Sequence, residues 1–290
     1  MKIAPQCYAC IVDQMVKMAA LSGETDIPAL MQKAFALLGQ APAGCSAPEL
    51  IGRLACLARE QTGCYDPYLA IRRGYNQLFL RFESALRQRI AQSQDPFRQA
   101  VRYAILANLV DLGPIRNDSL NHIQADLPGW YAAHEDDPAS IDHIDCLRQD
   151  VLAAKTILCL GDNCGELCMD KLLMEQIARL NPSAKLYYGV RGLPVMNDSI
   201  RADALEVGVE DIAQVVDNGS PAAGTCLHLA SGDFLRLYHQ ADVVVCKGQG
   251  NYESLSDDPH PGRYFLLVPK CRCVAEDLGV PHHTLVCRKG

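Results

Sequence analysis

Three polar clusters follow apolar runs in the C-terminal half of the chain, and they contain the residue types that hold cations or phosphate. The run ILCL leads to Gly161–Asn163, the run KLYYGV leads on to Asn197 and Asp198, and the run DVVVCK leads to Lys247–Asn251. If these runs are neighbouring parallel strands, their carboxyl ends meet at one edge of a sheet, where open α/β sheets bind ligands. We therefore expect one crevice that gathers these side chains.

The carboxylates and amides of these clusters suit a hard divalent cation. Such ions prefer carboxylate and carbonyl oxygens, and Asp162, Asn163 and Asp198 supply both kinds. A bound cation could hold a phosphoryl oxygen and lower the pKa of a water molecule. Lys247 could then neutralise the phosphate as a point charge.

The third cluster also has features of a phosphate loop. Gly248 and Gly250 would let backbone N–H groups approach an anion closely, and Asn251 adds an amide. Helix N-termini at Gly165 and near Ser231 could add further anion-binding ends. Each residue alone is equally compatible with a turn, a helix cap or a solvated lysine. Repetition at three strand ends is what favours an oxyanion or metal site.

Several familiar phosphate sites do not match the sequence. A Walker loop requires a Gly-Lys pair, which does not occur, and GQGNYE has Glu253 where a dinucleotide fingerprint needs its third glycine. An aspartyl-phosphate enzyme would need a second Asp two residues after Asp162, where Cys164 stands. No cysteine is followed six residues later by the Arg of a cysteine phosphatase. Metal-activated water is the hydrolytic chemistry that remains.

The composition excludes some classes of partner. The chain has 290 residues, 49% hydrophobic and 21% charged, with a net charge of -7 and no Lys/Arg block. This argues against nucleic acid as a partner. No apolar run approaches the roughly 20 residues of a membrane span, and the N-terminal sequence meets Asp13 too early for a signal peptide. We expect a cytoplasmic protein without a membrane partner, and the sequence sets no oligomeric state.

The rhythm of the sequence divides the chain into three parts. We expect a helical N-terminal domain over residues 1–113 and a linker or cover segment with a helix over 114–154. From 155 to 290, short apolar runs alternate with helical stretches, which predicts a Rossmann-like α/β domain with a mostly parallel sheet flanked by helices.

Capping signals mark several helix starts in the N-terminal part. Ser46 and Glu49 have capping-box spacing. Asp66 and Asp95 each precede a proline, which is typical of a cap followed by Pro at the first helical position. The helices that they open are predicted to run to about Gln92 and Leu112.

The 14 cysteines are expected to be reduced, because the chain is long and shows no export signal. The pair Cys7-x-x-Cys10 is a candidate second metal or redox site, and Cys271-x-Cys273 is another pair. A non-catalytic metal-binding or redox module that uses Cys7 and Cys10 is therefore an alternative function.

Five blocks of the sequence resemble the damage-control phosphatase family, formerly a domain of unknown function, and the likeness covers nearly the whole chain. The block with an Asn-x-x-Asp pair, here Asn108 and Asp111, and a start similar to the prokaryotic branch are among them. The blocks are CYACIVDQMVKMAALSG, DPFRQAVRYAILANLVDLG, GDNCGELCMDKLL, VRGLPVMNDSIRADALEVGV and ADVVVCKGQGNYESLSD.

The resemblance implies metal-dependent hydrolysis of small phosphate esters, such as sugar phosphates or damaged phosphometabolites, with Mg²⁺, Mn²⁺, Co²⁺ or Ni²⁺. It implies a helical domain on a Rossmann-like domain. A small phosphorylated metabolite would be the partner. Carried over by position, the implied metal ligands are Asp162, Asn163 and Asp198, and the implied phosphate partner is Lys247.

Other positions carried over from the family surround these. Asn197, Asn108 and Asp111 correspond to pocket residues, and Glu166 to a carboxylate that supports the ligands or handles protons. Cys164 and Leu193 stand where the family often has smaller residues, a departure that leaves the ligand set intact. A carboxyl-methyltransferase activity is a further alternative, but the chain has no acid followed by a glycine-rich loop for S-adenosylmethionine.

Overall fold

A seven-stranded sheet forms the centre of the protein in the computed structural model, which describes residues 1–109 and 125–290. Its strands are β1 (Ala139–Asp142), β2 (Thr156–Leu160), β3 (Lys185–Val190), β4 (Gln214–Asp217), β5 (Val243–Lys247), β6 (Arg263–Leu267) and β7 (Leu285–Lys289). They lie in the order β1-β7-β6-β5-β2-β3-β4. All neighbouring pairs are parallel except β6 and β7. The predicted α/β class with a mostly parallel sheet is confirmed.

Helices cover both faces of this sheet and form the N-terminal part of the chain. They are α1 (Cys7–Leu21), α2 (Ile27–Gly39), α3 (Ala47–Thr62), α4 (Leu69–Gln92), α5 (Pro96–Ala107), α6 (Leu127–His134), α7 (Ile144–Ala153), α8 (Glu166–Leu180), α9 (Arg201–Val207), α10 (Gly232–Gln240), α11 (Gly248–Leu255) and α12 (Arg272–Leu278). Among the described residues, no helix is both long enough and apolar enough to cross a bilayer.

The register of the central strands aligns their carboxyl ends. β2 and β5 are apolar runs whose side chains are almost all buried, as expected for parallel strands covered on both faces. Leu160 of β2 pairs with Cys246 of β5 and with Gly189 of β3. The residues that follow these three therefore leave the sheet together at one edge.

Side-chain caps account for two of the predicted helix starts, but not for a third. Ser46 caps α3 by accepting a hydrogen bond from the Glu49 N–H, and Asp95 caps α5 in the same way. The prediction that Asp66 caps α4 is wrong, because that helix begins later and has no side-chain cap. Asp66 instead accepts two hydrogen bonds from the buried guanidinium of Arg72, at 2.7 and 2.6 Å.

The segment after α5 also differs from the prediction. α5 ends at Ala107 rather than near Leu112, and Leu112 lies outside the described residues. Within the expected linker or cover segment, β1 pairs in parallel with β7 and so extends the sheet. The sequence gave no signal for this strand, which is short and half-exposed.

Buried side chains form three clusters. One lies among α1, α2 and α3 and includes Val195 and Ala223 from the C-terminal half. A second lies between one face of the sheet and helices that include α4, α5 and α8. The third covers the opposite face beneath α10, α11 and α12. The helical N-terminal region thus packs both on its own and directly against the sheet.

Candidate active site

The ends of β2 and β5 and the segment after β3 meet in one buried polar cluster. Asp162 and Asn163 follow β2, Lys247 is the last residue of β5, and Asp198 forms an isolated backbone bridge with Asn163. The exposed fraction of the residue is 6% for Asp162, 4% for Asp198 and 0% for Lys247. The structure therefore brings together the four side chains on which the sequence-based site depends.

Arg191 joins the two carboxylates. Its Nε donates to Asp198 Oδ2 at 2.6 Å, and its Nη2 donates to Asp162 Oδ1 at 3.4 Å. The residue is only 2% exposed. Sequence analysis missed Arg191, although it directly follows β3 and the strand-end criterion used for the other residues applies equally to it.

Glu166 and two amides support Asp162. Glu166 Oε1 accepts hydrogen bonds from Nδ2 of Asn108 and of Asn163, each at 2.8 Å. Both amides also donate to Asp162 Oδ2, at 3.3 Å from Asn108 and 3.0 Å from Asn163. The Asn108 carbonyl oxygen accepts from the Val268 N–H at 3.2 Å, so this residue connects the end of β6 to the end of β2.

Lys247 is held by carboxylates. Its Nζ lies 2.7 Å from Asp170 Oδ1 and 3.2 Å from Glu166 Oε2, and the Tyr188 hydroxyl donates to Asp170 Oδ2 at 2.8 Å. Burial acts to lower the pKa of Lys247, but the two carboxylates outweigh it and raise the pKa above the usual value. The amine is therefore an ammonium. Sequence analysis also missed Asp170.

Asp162 lies in a strongly negative environment. Burial raises its pKa well above the ordinary value, and the neighbouring carboxylates of Glu166 and Asp198 raise it further. Arg191 and Lys270 act in the opposite direction without cancelling the rise. The carboxylates of the site therefore lack enough positive charge to balance them.

This imbalance and the donor atoms fit a divalent cation. Four buried carboxylates face two buried cations, which leaves a formal excess of two negative charges. The carboxylates are Asp162, Glu166, Asp170 and Asp198, and the cations are Arg191 and Lys247. Asp162, Asp198 and the amide of Asn163 are oxygen donors of the kind that hard cations take. Over residues 1–109 and 125–290, no three His, Cys, Asp or Glu side chains are arranged as a metal site, and this set contains only two of those types.

The glycine-rich turn between β5 and α11 lies against Asp162. Gly248 has φ of 73°, and a Cβ at this position would overlap the Asp162 carboxylate. Gly250 packs instead on the backbone of the loop at residues 223–224. Asn251 donates to the backbone carbonyls of Gly161 and Lys247, at 3.0 and 2.7 Å, and so fastens the turn to the ends of β2 and β5.

Three other predicted residues differ in position. The Asn197 carbonyl accepts a hydrogen bond from the Cys164 N–H at 2.9 Å, which places Asn197 beside the end of β2. Ser231 is exposed, and its hydroxyl caps α10 by accepting from the Phe234 N–H at 3.3 Å. Asp111 lies outside the described residues.

The cysteine pairs lie away from this cluster, at the N-terminus of α1 and at α12. All 14 cysteines are free thiols. Cys273 Sγ is 3.9 Å from Oε1 of Gln6, the residue before Cys7, so the two pairs of the sequence are near each other. Burial raises the pKa of Cys7 to about 11, and nearby Glu253 adds to the rise.

Comparison with known proteins identifies related chains. The family model of the damage-control phosphatase ARMT1-like domain matches residues 3–286. A damage-control phosphatase from Pyrococcus horikoshii is 29% identical over 293 residues, covering 100% of this chain and 98% of that protein. A damage-control phosphatase from Archaeoglobus fulgidus is 28% identical and covers 97% of this chain and 96% of its own length.

A solved structure has the same fold. The crystal structure of a DUF89 family protein from Pyrococcus horikoshii superposes with a TM-score of 0.90 at 26% sequence identity, covering 100% of this chain and 99% of that chain. The similarity thus extends over both the helical region and the sheet that carries the polar cluster.

Proposed function

The chain belongs to the damage-control phosphatase ARMT1-like family, and on that basis we propose that it is a metal-dependent phosphatase of small phosphate esters, including sugar phosphates or damaged phosphometabolites. The observation that carries this proposal is the formal excess of two negative charges in the buried cluster at the carboxyl edge of the sheet. A cluster of this kind stays costly unless a cation enters it.

In this proposal Asp162, Asn163 and Asp198 hold the cation, which may be drawn from Mg²⁺, Mn²⁺, Co²⁺ and Ni²⁺. A bound divalent cation supplies Lewis acidity to a phosphoryl oxygen and to the attacking water. Glu166 accepts from the Nδ2 of Asn163 and thereby fixes the orientation of that amide. Supporting hydrogen bonds of this kind set the direction of metal ligands.

The phosphate group of the substrate would lie against the N-terminus of α11. The first N–H groups of a helix have no partner within the helix and favour anions. α11 starts at Gly248, directly beside Asp162, so the positive end of the helix faces the proposed cation position. The ammonium of Lys247 lies one residue earlier and adds a fixed positive charge.

The test is phosphate release by chelated protein before and after metal is added back. The substrates are an aryl phosphate and a panel of sugar phosphates, each assayed with Mg²⁺, Mn²⁺, Co²⁺ and Ni²⁺. We expect little release after chelation and recovery with at least one metal. The variant Asp136→Asn, at an exposed turn position, is the control for Asp162→Asn. Equal release with and without metal, or none under any condition, would disprove the proposal.

A further inference from the structure

Arg191 occupies the space between the two carboxylates that are proposed to hold the cation. Its guanidinium binds Asp198 at 2.6 Å and Asp162 at 3.4 Å, and these contacts use the oxygen atoms that a cation would need. A metal oxygen bond of roughly 2.0–2.2 Å requires a lone pair directed at the ion. The guanidinium and the cation therefore compete for the same two side chains.

The charges of the cluster favour exchange over joint occupancy. Arg191 carries one positive charge that it cannot lose at any ordinary pH, whereas the carboxylates have a formal excess of two negative charges. A divalent cation balances that excess, and the guanidinium beside it would then be repelled by a like charge. Movement of the guanidinium away from at least one carboxylate relieves this repulsion.

The guanidinium already has a contact that leads towards the proposed phosphate position. Its Nη1 lies 3.5 Å from Oδ1 of Asn251, a residue of α11. The N-terminus of this helix is where the phosphate would lie. A planar guanidinium binds two phosphate oxygens at once, which an ammonium cannot do. Lys247 is less suited to this part, because Asp170 and Glu166 hold it and it is fully buried.

We propose that Arg191 is a substrate-binding residue that changes partners when the cation binds. In metal-free protein it neutralises Asp162 and Asp198. When the cation takes over these carboxylates, the guanidinium turns to the phosphoryl oxygens of the substrate. This inference rests on the proposed function, and it predicts that phosphate binds well only to the metal-loaded protein.

The test measures two affinities separately, in wild type and in Arg191→Met and Arg191→Lys. Titration of metal-free protein with Mn²⁺ gives the first Kd, and titration of Mn²⁺-loaded protein with inorganic phosphate gives the second. We expect Arg191→Met to bind Mn²⁺ roughly tenfold more tightly, because a competing positive charge is gone. We expect it to bind phosphate about 10- to 100-fold more weakly, the value of a hydrogen bond to a charged group. Arg191→Lys should fall between the two.

The two affinities separate this role from a structural one. If Arg191 only maintained the fold of the site, both affinities would fall together in Arg191→Met, and that result would overturn the inference. Unchanged phosphate affinity would also overturn it. Failure of the wild type to bind Mn²⁺ would instead contradict the proposed function itself.

A crystal of wild-type protein soaked with Mn²⁺ and phosphate decides the matter if Arg191→Met does not fold. We expect the guanidinium on phosphate oxygens and separated from Asp162 or Asp198. A guanidinium that still binds both carboxylates beside a bound Mn²⁺ would refute the exchange.

Discussion

Lys247 and Asp170 form an ion pair at 2.7 Å in which both residues are 0% exposed. Removing one member of a buried pair leaves the other charge without compensation. We predict that Asp170→Asn lowers the free energy of unfolding by about 3 kcal/mol, the lower end of the range for such pairs, because Glu166 still contacts the ammonium. Urea unfolding measures this change.

The exposed Asp136→Asn is the matched control for that experiment, since loss of a surface carboxylate usually changes stability by less than about 0.5 kcal/mol. Equal unfolding midpoints for the two variants would show that the buried pair contributes nothing to stability.

Gly248→Ala should damage the site more than its backbone strain alone would. The new Cβ would overlap the Asp162 carboxylate, and the residue has φ of 73°. Gly279 has nearly the same φ, 69°, but no atom lies within 4 Å of its Cβ position. Both variants should lose about 1–2 kcal/mol of stability through strain. Only Gly248→Ala should also lose Mn²⁺ binding and phosphate release, and equal activity of the two would contradict this.

Asp162→Ala and Asp198→Ala should each reduce phosphate release by roughly a thousandfold or more, since each removes a proposed ligand of the cation on which the reaction would depend. Circular dichroism should show an unchanged fold, because the loss of a carboxylate also lowers the negative charge of the buried cluster. Substantial activity in either variant at saturating Mn²⁺ would mean that the carboxylate is not a ligand.

Glu166→Gln tests whether Glu166 positions the ligands. Its Oε1 accepts from the amides of Asn108 and Asn163, and its Oε2 faces Lys247. A glutamine keeps the shape but replaces one acceptor by a donor, which would turn the Asn163 amide. Loss of such a supporting group usually weakens metal affinity about 10- to 100-fold. The measurement is the Kd for Mn²⁺, and an unchanged Kd would argue that Glu166 does not orient Asn163.

The strand ends of the site were predictable from sequence because parallel strands in register must end together. Apolar runs followed by Asp162, Asn163 and Lys247 are a local signal, and the pairing of Leu160 with Cys246 turns it into proximity. Arg191 met the same criterion, but it lies within a longer connection to Asn197 and Asp198 and so had no evident partner. Its role depends on distances between chain segments, which no sequence pattern contains.

Asp170 was hidden for a different reason. It lies one helical turn after Glu166 and on the same side of α8, where a charged residue in an amphipathic pattern normally faces solvent. Only the packing of α5 and β5 around this helix makes the position buried. Asp66 shows the converse case, because its sequence context is typical of a cap while the buried Arg72 takes both of its oxygens.

The thiol of Cys7 should react slowly at neutral pH. Its pKa is raised to about 11, mainly by burial and also by Glu253 and the two cysteines of α12 and its N-cap. At pH 7 roughly one thiol in ten thousand is then the reactive thiolate, and the rate of alkylation should rise about tenfold per pH unit up to pH 10. Iodoacetamide labelling followed by peptide mass spectrometry measures this rate, with the exposed Cys146 as an internal comparison. A rate at Cys7 that levels off below pH 9 would indicate an activated thiol and would favour a redox role for the Cys7 and Cys10 pair.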